Sequence, residues 1–245
     1  MINDGHFHFH YPAPRLVPGW SMDISLDEDL KRVGGIRKRY NIDKIVGIFI
    51  PPNLPLVKAI LEKAPYIYPG IYLTPRENIG KLKKISKFQF VKIGADDIHP
   101  YMKKVNLIED ALSQNFKKIQ IHGHYFTKEF LEILSRYIRE YDALIYVAHG
   151  VDALYNYLTE INARQLRRLE GNLLLGTSPS NFLFYIPNEK VAKAMEDGLE
   201  NMVVFESDFG LQCDDDFYQA SILSVERAIG DNEKVFQENI RIFLR

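Results

Sequence analysis

The chain has 245 residues, and 46% of them are hydrophobic, which is enough to build one large core. Basic and acidic residues number 31 and 32 and nearly cancel, which argues against the extended basic surface that nucleic-acid binding needs. No apolar run approaches the length of a membrane span, and a pair of histidines starts at residue 6, too early to follow a cleavable signal. The lone Cys213 cannot form an internal disulfide. We therefore expect a cytoplasmic protein with no membrane or nucleic-acid partner.

Short runs rich in Ile, Val, Leu and Phe recur along the chain and alternate with helical patterns. Runs of this composition are typical of parallel strands that are buried on both faces. The predicted strands are Ile2 to His8, Lys44 to Ile50, Tyr66 to Leu73, Gln89 to Ile93, Lys118 to His122, Leu144 to His149, Leu173 to Gly176 and Met202 to Ser207.

Helical patterns lie between and after these strands. The first begins at a capping box, in which Ser25 precedes Glu28 by three residues. The predicted helices are Leu26 to Tyr40, Leu56 to Lys63, Leu107 to Gln114, Lys128 to Tyr141, Leu154 to Leu169, Glu189 to Leu199, Asp216 to Ile229 and Glu233 to Leu244. Strands that alternate with helices pair in parallel through right-handed crossovers. The pattern therefore predicts an α/β fold, one (β/α)₈ TIM barrel that forms a single domain over residues 1–245.

Three histidines alternate near the N-terminus, at His6, His8 and His10. Because side chains alternate faces along a strand, His6 and His8 point to the same side and can bind one metal ion together. His10 shares that face but falls beyond the predicted strand, where it would contact substrate or solvent. Taken alone, the pair is equally compatible with ordinary surface or core histidines.

Four later strands end in or near a residue that can bind a metal ion or a proton: Lys92, His122, His149 and Asp208. The intervals between them are close to multiples of one strand-helix unit of about 31 residues. A barrel brings the C-terminal ends of all its strands to one rim. The spacing therefore predicts that these four side chains meet the histidine pair in one small volume.

The order of these residues resembles the amidohydrolase superfamily of metal-dependent hydrolases, which have HxH on strand 1, Lys or Glu on strand 4, His on strands 5 and 6, and Asp on strand 8. The segment Phe90 to Asp97 is similar to the strand-4 region of phosphotriesterases and phosphotriesterase-like lactonases, and Glu238 to Leu244 resembles their terminal helix. This resemblance implies that a carboxylated Lys92 bridges two metal ions. It further implies one ion on His6, His8 and Asp208, and a second ion on His122 and His149.

The chemistry of these side chains agrees with the implied centre. Imidazole and carboxylate ligands with open positions suit two divalent ions, Zn²⁺ first, with Fe, Co or Mn as alternatives. A carbamate on Lys92 offers two oxygens and a negative charge, whereas an ammonium has no lone pair. We hypothesise a hydrolase in which the ions share a hydroxide whose pKa falls to roughly 7. Asp208 would accept or relay the proton, and a small ester, lactone, amide or phosphoester would be cleaved.

Other interpretations of the sequence remain open. TatD-type deoxyribonucleases have a strand-8 segment that resembles Glu206 to Asp208, but they use a strand-4 glutamate in a GE motif, whereas here Gly94 precedes Ala95. A decarboxylase-type lyase of the same superfamily would use one metal ion and no carboxylated lysine. A non-catalytic barrel and a homo-oligomer are further alternatives.

Individual residues also have simpler interpretations. Lys92 would then be an ordinary lysine at a strand end, and Asp208 a helix cap. His124 competes with His122 as the strand-5 ligand, and His99 is predicted to lie in a loop. Three rim segments carry aromatic residues that suit either a substrate pocket or packing beneath loops. They are Tyr11 to Asp23 with Trp20, Ala95 to Val105, and Ser178 to Pro187.

Overall fold

A parallel sheet of eight strands forms the centre of the protein, and its strands pair in chain order from the first to the eighth. The computed structural model describes residues 1–8, 25–49, 56–73, 88–94, 101–123, 128–157, 163–178, 188–208 and 215–245. The strands are β1 Ile2–His8, β2 Ile42–Phe49, β3 Ile67–Leu73, β4 Phe90–Ile93, β5 Lys118–His122, β6 Leu144–Ala148, β7 Leu173–Gly176 and β8 Val203–Val204.

The first and last strands approach each other and nearly close the sheet into a ring. The backbone N–H of Gly5 donates to the carbonyl of Phe205 at 3.0 Å. One layer further along, the backbone N–H and the hydroxyl of Ser207 donate to the two carboxylate oxygens of Asp4 at 3.1 and 2.5 Å. Together with the alternating helices, this arrangement confirms the predicted (β/α)₈ TIM barrel.

The helices flank the strands as the sequence predicted. Several of their ends shift by a few residues, most of all in the helix that begins at Tyr101 where Leu107 was predicted, and two further differences have a structural cause. They are Leu26–Arg39, Val57–Lys63, Tyr101–Ser113, Lys128–Tyr141, Gly150–Tyr157, Ala163–Arg167, Glu189–Glu196, Asp215–Ile229 and Arg241–Leu244, with a π-helical turn at Lys234–Glu238. The capping box is present, since Ser25 and Glu28 each accept a bond from the other's backbone N–H.

The first difference concerns the segment after β6. A helix begins at Gly150, four residues before the predicted start at Leu154, and helical residues are present again at Ala163–Arg167; residues 158–162 lie outside the described ranges. The sequence pattern missed the start at Gly150 because glycine is a poor helix former. The close approach of β7 favours glycine at this position, since a Cβ on Gly150 would lie 3.0 Å from Cα of Leu175. The second difference lies at the C-terminus, where a helix was predicted from Glu233 to Leu244. The segment Lys234–Glu238 is π-helical, and the side-chain amide of Asn239 donates to the carbonyls of Glu200 and Val203.

Strand β8 is also shorter than predicted. Beyond Val204 the chain stays buried, but the N–H of Phe205 donates to the carbonyl of Val235 at 2.9 Å and not to a neighbouring strand. The C-terminal segment thereby takes over part of the pairing that the sequence pattern assigned to the sheet.

Two apolar clusters make up the core. The larger lies between the strands and the helices. The smaller fills the N-terminal half of the barrel and consists of Val46, Ile48, Phe90, Tyr146, Leu174, Val204, Ile240 and Phe243. Because its last two members come from the C-terminal segment, the end of the chain plugs one mouth of the barrel. Among the helices of the described ranges, none is long and apolar enough to cross a membrane.

Candidate metal centre

The six side chains singled out in the sequence meet at the C-terminal ends of the strands, opposite the plugged mouth. On β1, Nε2 of His6 lies 2.8 Å from Nε2 of His8. Nζ of Lys92, at the fourth strand, lies 2.5 Å from the same His6 atom. Oδ1 of Asp208 lies 3.5 Å from Nε2 of His6 and 3.4 Å from Nε2 of His8. These four residues form one half of the cluster.

The remaining two histidines form the other half. The rings of His122 and His149 lie 4.6 Å apart, and the ring of His149 lies 5.5 Å from that of His6. Oδ2 of Asp208 is 3.8 Å from Nε2 of His149. Asp208 therefore presents one carboxylate oxygen to each half of the cluster.

A bulge in β1 positions the first histidine pair. The pairing with β2 runs from Asp4 opposite Ile45 to Phe7 opposite Gly47, so β1 holds one more residue than its neighbour over this span. The carboxylate of Asp4 accepts the backbone N–H of His6 at 3.1 Å and stabilises the bulge.

Two of the cluster residues have an unusual backbone. His149 has a φ of 57° and Asp208 a φ of 54°, in the left-handed region that non-glycine residues seldom adopt. Each follows the end of its strand. Such strain persists only where surrounding contacts fix it. At His149 the backbone N–H donates to Oε1 of Glu206 at 2.6 Å.

The protonation states suit a bound cation. Burial, and then the charge of Lys92, lowers the pKa of His6 well below its ordinary value. Burial likewise lowers the pKa of His8, although Asp208 opposes it. Burial alone would raise the pKa of Asp208, but His149, His8 and Lys92 together outweigh burial and hold that pKa below its usual value. Neutral imidazoles beside an ionised carboxylate are the donor set that a divalent metal ion requires.

The geometry also fits a metal ion. One ligand atom each from His6, His8 and Asp208 lies within 4.8 Å of the other two. Oδ1 of Asp208 is buried and has no hydrogen bond of normal geometry within the described ranges. The side chain of His8 is 13% exposed, whereas those of His6 and Asp208 are at most 2% exposed, so solvent reaches the cluster from the His8 side.

Sequence analysis missed the polar layer beneath this cluster. Asp4 and Glu206 are buried carboxylates, each two residues before a candidate ligand in the sequence. Burial raises the pKa of Asp4 to about 7 although Ser207 and His6 donate hydrogen bonds to it. An acidic residue two positions before a candidate ligand was the sequence signal that could have revealed Asp4 and Glu206. Gln120 completes the layer by donating to the carbonyl of Gly5 at 2.9 Å.

Several predicted residues lie outside the described ranges. They are His10, His99, His124 and Cys213, together with residues 11–23, 95–100 and 179–187 of the rim segments. The choice of His122 over His124 as the strand-5 ligand therefore stays a prediction. The position of His122 next to His149 supports it.

No family model matches the chain, and no curated protein is detectably similar to it. Solved structures are similar over almost its whole length. A probable 2-pyrone-4,6-dicarboxylic acid hydrolase from Acinetobacter baumannii, with citric acid bound, is 14% identical and aligns over 99% of this chain and 98% of its own, with a TM-score of 0.62. An amidohydrolase from Burkholderia multivorans with bound zinc is 8% identical and aligns over 99% of both chains, with a TM-score of 0.61.

This chain shares the fold of these two proteins. At such low identity the likeness concerns the backbone, and the chemistry is argued from this chain's own residues. The resemblance to phosphotriesterases and their lactonase relatives stays a prediction.

Proposed function

We propose that the protein is a metal-dependent hydrolase that cleaves a small ester, lactone, amide or phosphoester at the open mouth of the barrel. The observation that carries this proposal is the convergence of four histidines around an ionised Asp208, which is buried between the two halves of the cluster. Buried polar groups of this kind are costly for folding unless something binds to them.

We assign one ion to each half of the cluster. His6, His8 and Asp208 would hold one, and His122 and His149 would hold the other. Lys92 would bridge them as a carbamate, formed when its amine adds to carbon dioxide and releases a proton. Lys92 is fully buried with its Nζ directed at His6, and a carbamate replaces a buried cation with an anion that the two metal ions neutralise.

Bound divalent ions lower the pKa of water toward about 7 and polarise a carbonyl or phosphoryl oxygen. The chain supplies the other requirements. Asp208 is ionised and reaches both halves, so it accepts the proton of the attacking water and returns it to the leaving group. His8 and His122 are the partly exposed members of the cluster and mark the side from which substrate enters.

Two observations on other proteins support this proposal. The similar Burkholderia structure contains zinc, and the similar Acinetobacter protein is described as the hydrolase of a pyrone, which is a cyclic ester. Lactones are therefore the first substrates to test.

The decisive measurement is the metal content per chain, followed by assays with lactones, phosphotriesters, phosphodiesters and cyclic amides on the metal-loaded protein. We expect two ions per chain and turnover of at least one of these classes. A chain that binds no divalent ion would refute the proposal. One ion per chain with release of carbon dioxide would favour a lyase, and activity on single-stranded DNA alone would favour a nuclease.

A matched pair of variants tests the bridge. Lys92→Ala removes every donor at this position and should empty or cripple the centre, whereas Lys92→Glu keeps a carboxylate there and should retain metal ions. Carbon-13 bicarbonate should give a carbamate signal in the wild-type protein that both variants lack. Unchanged metal content and turnover in Lys92→Ala would remove the bridge from the proposal.

A further inference from the structure

Glu206 is a buried carboxylate directly beneath the candidate centre, and it ties three strand ends together. Its Oε1 accepts the backbone N–H of His149 at 2.6 Å, and the backbone N–H and the hydroxyl of Ser178 at 3.3 and 2.5 Å. Its Oε2 accepts the hydroxyl of Tyr146 at 2.7 Å. With three donors on Oε1, this carboxylate is already committed to the protein and is not a free metal ligand.

The contacts of Glu206 fix the tautomer of His149. The single hydrogen of the Ser178 hydroxyl is donated to Glu206, so the hydroxyl oxygen must accept from Nδ1–H of His149, which lies 2.8 Å away. The lone pair of the imidazole then resides on Nε2. That atom faces Oδ2 of Asp208 at 3.8 Å, on the side where a metal ion would lie.

The same carboxylate faces the corresponding atom of His6. Oε2 of Glu206 lies 3.6 Å from Nδ1 of His6, whose Nε2 points toward His8 and Asp208. The close approach of this carboxylate depends on Gly176, because a Cβ at that position would lie 2.1 Å from the carboxylate carbon. One buried anion thus lies on the Nδ1 side of a histidine from each half of the cluster.

We propose that Glu206 is a positioning residue shared by both metal positions. It acts on His6 through its charge at 3.6 Å, and on His149 through the bond to the backbone N–H and by way of Ser178. A carboxylate on the outer nitrogen of a metal-bound imidazole fixes its orientation and raises its basicity. Because one carboxylate serves a histidine in each half, its loss weakens both ions together. This inference rests on the proposed function, which supplies the two ions.

The test compares three variants by titrating Co²⁺ and Zn²⁺ against a chromogenic chelator and by recording the absorption spectrum of the Co²⁺ protein. Glu206→Gln keeps the shape of the side chain but removes the charge, and should weaken both ions about 10- to 100-fold and shift the Co²⁺ bands. Ser178→Ala keeps the carboxylate and breaks only the relay to His149, so it should weaken one ion of the two. Tyr146→Phe keeps the charge of Glu206 and removes one neutral hydrogen bond to its Oε2, so it should weaken both ions much less than Glu206→Gln does.

The outcomes separate the two proposals. If the wild-type protein binds no metal ion, the proposed function fails and Glu206 has nothing to position. If the wild-type protein binds two ions and a folded Glu206→Gln binds both as tightly, or loses only one, the shared role is wrong. Equal losses in Tyr146→Phe and Glu206→Gln would also overturn it, because packing and not charge would then be responsible. Should Glu206→Gln not fold, Ser178→Ala decides alone, since loss of both ions or of neither contradicts the relay.

Discussion

The two ends of the barrel interior are built from opposite chemistry. At the N-terminal end the rings of Tyr68 and Phe90 stack at 5.9 Å with 4° between their planes, and Phe243 meets Phe90 edge-on at 5.1 Å. At the C-terminal end the same interior is lined by histidines, Lys92 and Asp208, and buried carboxylates beneath them accept the backbone N–H groups of His6 and His149.

This difference teaches where stability and chemistry reside in one fold. The aromatic end buries apolar area and holds the strands together, which stabilises the folded state. The polar end gathers groups whose burial costs free energy and positions two residues with strained backbones. Substitutions at the two ends should therefore separate, with metal binding and turnover affected at one and unfolding at the other.

The largest effect is expected at the polar end. Asp208→Asn removes the ionised oxygens that face both halves of the cluster and should lower turnover by about 10²- to 10⁴-fold. The free energy of unfolding of the metal-free protein should fall little or even rise, because a buried charge is lost. Chemical denaturation with the metal removed and steady-state assays with the metal restored measure the two quantities. Asp231→Asn, at an exposed position, is the control and should change neither.

At the aromatic end the expected effect falls on stability. Phe243→Ala opens a cavity against Phe90 and Tyr146 and should lower the free energy of unfolding by about 3–5 kcal/mol. The metal content per folded chain should stay at the wild-type value. A variant with wild-type stability that had lost its metal ions would contradict the division between the two ends.

How well each end of the barrel could be predicted depends on whether its interactions join residues that are near or far apart in the sequence. Strands β1, β5 and β7 have the predicted bounds. In β7 the run of leucines is a local signal, and in β1 the alternation of His6, Phe7 and His8 is one. The convergence of the cluster residues was also predictable, since a barrel brings strand ends to one rim. The bulge between Asp4 and Phe7 was not, because the close approach of Tyr146 to Gly5 is a contact across the barrel with no local signal.

The plug and the polar layer lay beyond sequence reasoning for the same reason. The sequence of the C-terminal segment predicts one helix. The packing of Ile240 and Phe243 inside the barrel depends on tertiary contacts that the sequence pattern does not reveal. The role of Glu206 depends on donors from two other segments, Tyr146 and His149 at β6 and Ser178 after β7. The plug has no local pattern that would mark it. The position of Glu206 two residues before Asp208 marks an acid near the site but not the donors that it binds.

Gly5 lies at the boundary between the two ends. A substitution there tests whether a contact with the aromatic end also affects metal affinity at the polar end. Gly5→Ala would place a Cβ 2.3 Å from the hydroxyl oxygen of Tyr146 and should cost about 1–3 kcal/mol of stability. Because Gly5 lies in the bulge that carries His6, metal affinity should fall as well. Gly35→Ala is a matched control, since nothing lies within 4 Å of its added Cβ. It sits in the helix Leu26–Arg39, where alanine should stabilise by about 0.5–1 kcal/mol. Equal behaviour of the two variants would show that the contact with Tyr146 carries no strain.

The smallest expected effect concerns a polar contact within the aromatic end. Nζ of Lys118 donates to the hydroxyl of Tyr68 at 2.7 Å, so Tyr68→Phe should cost about 1 kcal/mol of stability near neutral pH. Burial raises the pKa of Tyr68 from 10.0 to about 12.

The folded state therefore holds this proton more tightly than the unfolded state does, and the stability that the tyrosine contributes is complete below pH 10 and is lost as the pH rises toward about 12. The difference between wild type and Tyr68→Phe should accordingly shrink over that range, as denaturation at a series of alkaline pH values would show. A constant difference would mean that Tyr68 ionises alike in both states. Since the metal ligands lie at the opposite mouth, the metal content of the variant should equal that of the wild type, and a loss of metal there would show that the aromatic end also positions the centre.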